Sequence, residues 1–243
     1  MREQAYTDLH QLESAHWWYR GTRAVYADLL ERFARRSEGA LVLDLGCGSG
    51  SNAMLLSRWG RLVGLDPWHP ALCSFADPAA LLAQGVANTL PFPSDTFEAV
   101  AMLGVLEHVV DDVAALSEAR RVCTPGGTIL LLTSAFAFLW SEHDLANQHR
   151  RRYTARQLCQ KAGQAGLAVR YLSCQNSFLF VPAALIRLAQ RLIPSPGPPQ
   201  IDMYPMPEPV NTALAWLLAL EGRMMRWMRF PVGVSLVAVL ERQ

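Results

Sequence analysis

The stretch Asp44-Leu45-Gly46-Cys47-Gly48-Ser49-Gly50 constrains this chain more than any other part of it. It follows a short apolar run, Leu41 to Leu45, and precedes helical apolar spacing over Ala53 to Trp59. Glycines between a strand and a helix let the backbone turn sharply and come within contact of a ligand. The amino end of the helix then presents unpaired N–H groups. Strand, glycine turn and helix in that order open a nucleotide-binding α/β sheet. A second apolar run, Arg61 to Leu65, ends at Asp66, where a carboxylate can accept hydrogen bonds from ribose hydroxyls.

The remaining pattern extends that sheet. Phe97 to Leu103 and Thr128 to Thr133 read as strands, the latter introduced by the turn Pro125-Gly126-Gly127. Runs this apolar suit strands buried on both faces, as in a parallel sheet. Ala168 to Cys174 and Val232 to Leu240 read as two further strands. Residues up to about Arg36 are helical in spacing, and Thr154-x-x-Gln157 is a capping box opening a helix to about Ala165. Two apolar-basic helical stretches, about Phe178 to Leu192 and Val210 to Arg229, flank a proline-rich loop, Pro194 to Pro209, that can continue neither.

The expected architecture is one α/β domain over residues 1–243. It is a Rossmann-like, doubly wound, seven-stranded sheet, mostly parallel with a terminal antiparallel hairpin, in three α/β/α layers. Residues 1–37 form an N-terminal helical segment, 38–175 the cofactor-binding core, 176–230 a helical lid insertion and 231–243 the last strand. A length of 243 residues supports one domain with a sizeable core. A net charge of +1 excludes a disordered chain or a strongly nucleic-acid-binding surface.

Cys47, Cys73, Cys123, Cys159 and Cys174 are scattered without a C-x-x-C pair, which fits reduced thiols in the cytoplasm. Met1 to Glu13 is too polar for a secretory signal. The apolar run Thr128 to Trp140 falls short of the ~20 residues of a membrane span. The chain is expected to be soluble, or at most to touch a membrane surface through its inserted helices.

The glycine spacing bears on which nucleotide binds. A dinucleotide fingerprint runs G-x-G-x-x-G, whereas here the third glycine comes one residue early and Ser51 takes the final place. An acid at Asp44 does not help a pyrophosphate and suits a ligand carrying an ammonium group, such as an amino-acid-bearing nucleoside. At this point the chain resembles the class I S-adenosylmethionine-dependent methyltransferases, in their bacterial small-molecule, type 11-like branch. Gly85 to Phe92 is similar to that family's adenine-side segment, Phe97 to His108 to its fourth-strand motif, and Leu116 to Thr133 to its fifth.

The resemblance implies S-adenosylmethionine as cofactor. Gly46, Gly48 and Gly50, with Cys47 between the first two, would lie along its methionine part, and Asp44 would orient its amino group. Asp66 would hold the ribose, flanked by Pro67 and Trp68. Ala87 would meet the adenine edge, and Leu103 or Gly104 would line the route to the methyl group. Val86 and Gly104 depart from the family by standing where many relatives carry acids.

Methyl transfer to a hydroxyl or ammonium also needs a base, for which histidine is the usual residue. His143 or His149 is expected to serve, with Arg152 and Tyr153 positioning the acceptor and His108 as an alternative. An early segment, His16-Trp17-Trp18-Tyr19-Arg20, is the second candidate acceptor contact, chiefly through His16, Trp17, Tyr19 and Arg20. Both clusters resemble features of the same bacterial branch. The tryptophans can equally pack a helix onto the domain, and the arginines can pair with Glu142 or Asp144.

His143, Asp144 and His149 are competent metal ligands, but their spacing matches no metal pattern and no metal is expected. The expected partner is a small-molecule acceptor, apolar in character (a natural product, quinone or lipid-linked compound), with oxygen favoured over nitrogen or carbon. Nucleic acid is not expected. The alternatives are a catalytically silent methyltransferase-like binding subunit and a nicotinamide-dependent oxidoreductase.

Overall fold

The computed structural model of the protein describes residues 13, 15–192, 199, 201 and 203–243. The whole stretch before Glu13, expected to be helical, and much of the first half of the proline-rich loop lie outside the described residues. Helix α1, Trp17–Phe33, buries Val25, Tyr26, Leu29 and Leu30, a spacing of three and four that lays one stripe against the sheet. The His16 side chain caps it by accepting the Trp18 N–H at 3.3 Å.

Seven strands follow: β1 Leu41–Leu45, β2 Arg61–Asp66, β3 Leu81–Gln84, β4 Phe97–Leu103, β5 Cys123–Ser134, β6 Leu167–Gln175 and β7 Ser235–Arg242. Their order across the sheet is β3-β2-β1-β4-β5-β7-β6. β3 through β5 run parallel, and β7 lies antiparallel between β5 and β6. This is the doubly wound, seven-stranded sheet with a terminal antiparallel hairpin that the sequence implied.

Alternation along each strand splits the core into two layers. In β1, Leu43 and Leu45 face one cluster with Phe97, Met102, Leu116 and Ile129. Val42 faces the other, with Leu29, Leu30, Trp59 and Leu62. Helices α2 Ala53–Leu56, α3 His69–Cys73, α4 Asp112–Val122, α5 Glu142–Ala146 and α6 Ala155–Gln164 complete the core. Helices α7 Phe180–Leu192 and α8 Glu208–Met224 stand between β6 and β7. Among the described residues no helix is long and apolar enough to cross a membrane.

Three elements differ from the pattern reading. β3 is an edge strand with three of its four residues exposed, so it lacks the continuous apolar run of its neighbours. α5 interrupts the connection after β5, opened by a capping box between Ser141 and Asp144. β7 starts at Ser235 rather than Val232. A Cβ on Gly233 would lie 2.5 Å from the Gln175 carbonyl oxygen, so the chain crosses the end of β6 there before pairing begins.

Candidate active site

Strand order reverses between β1 and β4, and a cavity of about 1000 Å³ opens at their carboxyl ends. Such a crevice is where open α/β sheets bind ligands. The glycine turn forms one end of it. The Gly46 and Cys47 N–H groups both donate to the Leu65 carbonyl, at 2.7 and 3.1 Å, which pins the turn to β2. Asp66 accepts from the Gly48 N–H at 2.9 Å with one oxygen and from the Trp68 N–H at 2.8 Å with the other. The carboxylate thus sets both loops and keeps a second lone pair on each oxygen for a ligand. Burial raises its proton affinity, opposed by the two backbone hydrogen bonds.

Asp44 is 2% exposed and sits behind the wall formed by Leu45 and Gly46, and its Oδ2 has no hydrogen-bond partner. Burial first, then the charges of Asp66 and Glu13, push its carboxyl up to about 7. An orphaned buried carboxylate beside a ligand-facing glycine turn fits a group that brings an ammonium with it. The donor set therefore suits the amino-acid nucleoside that the motif implies. Cys47, Gly48, Pro67, Ala87, Leu103 and Gly104 all lie on the cavity wall. Gly104 has φ 76° and a Cβ there would meet nothing within 4 Å, so the backbone conformation and not space calls for glycine. Gly50 is not on the wall: its φ is 84°, and a Cβ would lie 2.8 Å from the Phe75 ring. That glycine serves close packing under the turn instead of ligand contact.

The far end of the cavity is built by the connection after β5. Asp144, fully buried, accepts from His149 Nδ1 at 2.7 Å, Arg152 Nε at 2.8 Å, a second Arg152 nitrogen at 3.0 Å and the Ser141 N–H at 2.8 Å. Burial alone would raise this carboxyl, but the His149 hydrogen bond and the Arg152 charge outweigh it and hold it well below the usual range. The carboxylate can only accept, so Nδ1 of His149 carries a proton, and in the neutral tautomer the lone pair lies on Nε2.

His108 packs edge-on to His149 at 4.7 Å between ring centroids, and His143 at 5.8 Å. Burial lowers His108 to about 4. Burial and the charge of Arg187 lower His143 to about 3. Both rings are neutral and weakly basic near pH 7.

The structure separates the expected acceptor residues. His143, His149, His108 and Arg152 come together on the cavity wall, joined by His16, Trp17 and Tyr19 from the N-terminal side. Two expected residues do not. Tyr153 is buried, and its hydroxyl donates to Asp112 at 3.0 Å and the Leu106 carbonyl at 3.2 Å. It braces α4 against the loop and does not line the cavity. Arg20 points to Glu208 on α8 at 2.8 Å, away from the cavity.

Arg152 spends its guanidinium on Asp144 and the Ala135 carbonyl, so it positions the histidine's partner. Among the described residues no cluster of three or more ligating side chains is arranged for a metal ion.

The sequence reading missed four contributors. Glu107, 4% exposed on the wall, accepts from Thr133 at 2.8 Å and Ser134 at 3.1 Å. Its place beside His108 in the fourth-strand motif was the available signal. Tyr26 and Arg187 arrive from α1 and α7. Asn211 on α8 accepts the Trp17 N–H at 2.6 Å and donates to the Ala15 carbonyl at 2.7 Å, fastening the segment that carries His16 and Trp17. Contacts spanning almost 200 positions leave no local pattern.

A doubly wound sheet with a glycine turn and a buried acid, Asp66, at its switch point is an arrangement suited to a nucleoside ligand. Residues 43–131 match the family described as "Methyltransferase domain". A probable S-adenosylmethionine-dependent methyltransferase of Mycolicibacterium smegmatis is 32% identical over 125 residues, covering 50% of this chain and 47% of that one. A 2-phytyl-1,4-naphtoquinone methyltransferase of Thermosynechococcus vestitus is 29% identical over 195 residues, covering 76% and 84%. A solved S-adenosylmethionine-dependent methyltransferase of Thermotoga maritima superposes with TM-score 0.62 at 14% identity, covering 99% and 97%, and shares the fold. Over residues 43–131 the chain carries a methyltransferase domain, and it is similar to S-adenosylmethionine-dependent methyltransferases. It spans about half the length, or less, of the first curated relatives it matches.

Proposed function

We propose that this protein transfers the methyl group of S-adenosylmethionine to an oxygen of a neutral, largely apolar small molecule, with His149 as general base. The observation that carries the reading is the single cavity joining Asp66 and the glycine turn to the His149–Asp144 pair. Its volume of about 1000 Å³ stands at the top of the usual range for ligand pockets and accommodates a cofactor and an acceptor together. The naphtoquinone methyltransferase among the relatives supports an apolar ring acceptor.

In this reading Asp66 holds the ribose, Asp44 balances the ammonium, and the backbone of Ala87 meets the base. The bound cofactor supplies a methyl group on a sulfonium, an electrophile that needs no metal. Asp144 keeps the His149 ring oriented with Nε2 toward the acceptor, and Arg152 keeps Asp144 ionised. Nε2 would accept the acceptor hydroxyl's proton, leaving the oxygen the electron pair that methyl transfer requires. Trp17, Tyr19 and Leu179 line the cavity with apolar surface that would align an apolar acceptor. The five free, dispersed cysteines support a cytoplasmic location.

Isothermal titration with S-adenosylhomocysteine tests the cofactor, beside NADH and an Asp66→Ala protein. Losing one or two hydrogen bonds to a charged acceptor, about 1.5–3 kcal/mol each, should weaken binding at least tenfold. Absence of nucleoside binding by the wild-type protein would sink the reading, and NADH binding in its place would establish the oxidoreductase.

A further inference from the structure

Where β5, β7 and β6 end side by side, a row of polar side chains borders the cavity. Ser134 pairs in register with Ser235, and Ser235 with Gln175, so the three strand ends are adjacent. Ser134 is committed to Glu107. Asn176 and Ser235 are each 7% exposed, line the cavity, and make no side-chain hydrogen bond among the described residues. Polar groups so nearly buried are normally paired, and these two lie on the wall of a cavity that a partner can enter.

The backbone is arranged to keep Asn176 there. Its φ is 61°, a left-handed conformation that asparagine tolerates better than most residues. The buried carboxylate of Glu221 on α8 accepts the next two backbone N–H groups, Ser177 at 2.7 Å and Phe178 at 3.2 Å, and so clamps the turn.

We propose that Asn176 and Ser235 form the specificity subsite for a second, neutral oxygen function of the acceptor, a hydroxyl or carbonyl distinct from the atom methylated. The proposal rests on the methyltransferase reading and deepens it. The carboxamide offers donors and an acceptor, and the serine hydroxyl offers one of each, so the pair matches a hydroxyl or carbonyl in either role. Leu179 and Val234 on the same wall favour an apolar frame around that oxygen. The Glu107 carboxyl group, hydrogen-bonded to Ser134 beside Ser235, disfavours an anionic group at this end of the wall. A site built to hydrogen-bond a hydroxyl discriminates strongly against an analogue lacking it, because its own groups are then left unpaired.

The test is binding to the full chain saturated with S-adenosylhomocysteine, by calorimetry, of three probes: 2,3-dihydroxynaphthalene, 2-naphthol and 3-hydroxy-2-naphthoate. The diol is expected to bind at least about tenfold more tightly than the mono-ol, as one well-placed hydrogen bond allows, and the carboxylate no better than the mono-ol. Asn176→Gly retains the left-handed backbone and removes only the carboxamide, and Ser235→Ala removes only the hydroxyl. Each should reduce the diol's advantage to about threefold or less, with S-adenosylhomocysteine affinity reporting that the variant is folded.

Equal binding of diol and mono-ol by the wild-type protein would overturn the subsite, as would an advantage that survives in both variants. Preference for the carboxylate, or failure of all three probes to bind the cofactor-loaded protein, would overturn it too. Failure of S-adenosylhomocysteine itself to bind is a separate result, which removes the methyltransferase reading and this proposal with it.

Discussion

Asp44 makes the pH dependence of cofactor binding a calculable quantity. Its carboxyl is raised to about 7 from an ordinary value of 3.8, chiefly by burial, so the folded protein holds that proton more tightly than the unfolded chain. The stability this contributes is fully present below the unfolded value and is lost as pH rises through the folded one. Three pH units at about 1.4 kcal/mol each put that loss near 4 kcal/mol by pH 8.

An ammonium ligand needs the ionised form. About 3% of Asp44 is ionised at pH 5.5 and about half at pH 7.0, so S-adenosylhomocysteine affinity should rise roughly fifteenfold across that window. The ligand's own amino group stays protonated throughout, since α-amino groups titrate near pH 8. Asp44→Asn should flatten the rise and weaken binding at pH 7, while raising the melting temperature of the ligand-free protein. Calorimetric titration at half-unit steps and a melt of each form measure all three quantities. A wild-type affinity flat between pH 5.5 and 7.0, or an Asn variant that keeps the same slope, would refute the assignment of Asp44 to the ammonium.

His149→Ala should lower kcat by about 10²–10⁴ while leaving S-adenosylhomocysteine affinity within threefold, measured by single-turnover transfer of a labelled methyl group. Asp144→Asn should show a similar kinetic loss and an added loss of about 3–5 kcal/mol in urea unfolding, because Arg152 is left buried without its carboxylate. Tyr153→Phe should cost about 1 kcal/mol of stability and leave kcat/KM within twofold; a hundredfold loss would restore Tyr153 to the chemistry. Asn211→Ala should raise KM for the acceptor more than it lowers kcat, since the α1 start that presents Trp17 is released, with about 1–3 kcal/mol of destabilisation.

Much of this protein is written locally. The parallel core strands announce themselves as continuous apolar runs because both of their faces are covered. The glycine turn and Asp66 lie eighteen positions apart, counting from the Gly48 N–H that Asp66 accepts, and are legible because strand, turn and helix follow one another without interruption. The capping box at Thr154 is visible for the same reason, its partner Gln157 being three residues away. β3 escapes notice because an exposed edge strand of four residues has no apolar period to read.

The division of labour among the acceptor residues was decided only in three dimensions. His143, His149 and Tyr153 share one short stretch of sequence and the same chemical plausibility. Tertiary packing gave His149 a buried carboxylate at 2.7 Å, left His143 desolvated beside Arg187, and turned the Tyr153 hydroxyl to Asp112. Asn176 and Ser235 stand 59 positions apart and share one cavity wall because β7 returns between β5 and β6. A chain specifies its strands and turns through neighbours along the backbone. Which polar groups stay unpaired at a cavity wall depends on partners brought from distant segments, and no local pattern carries that information.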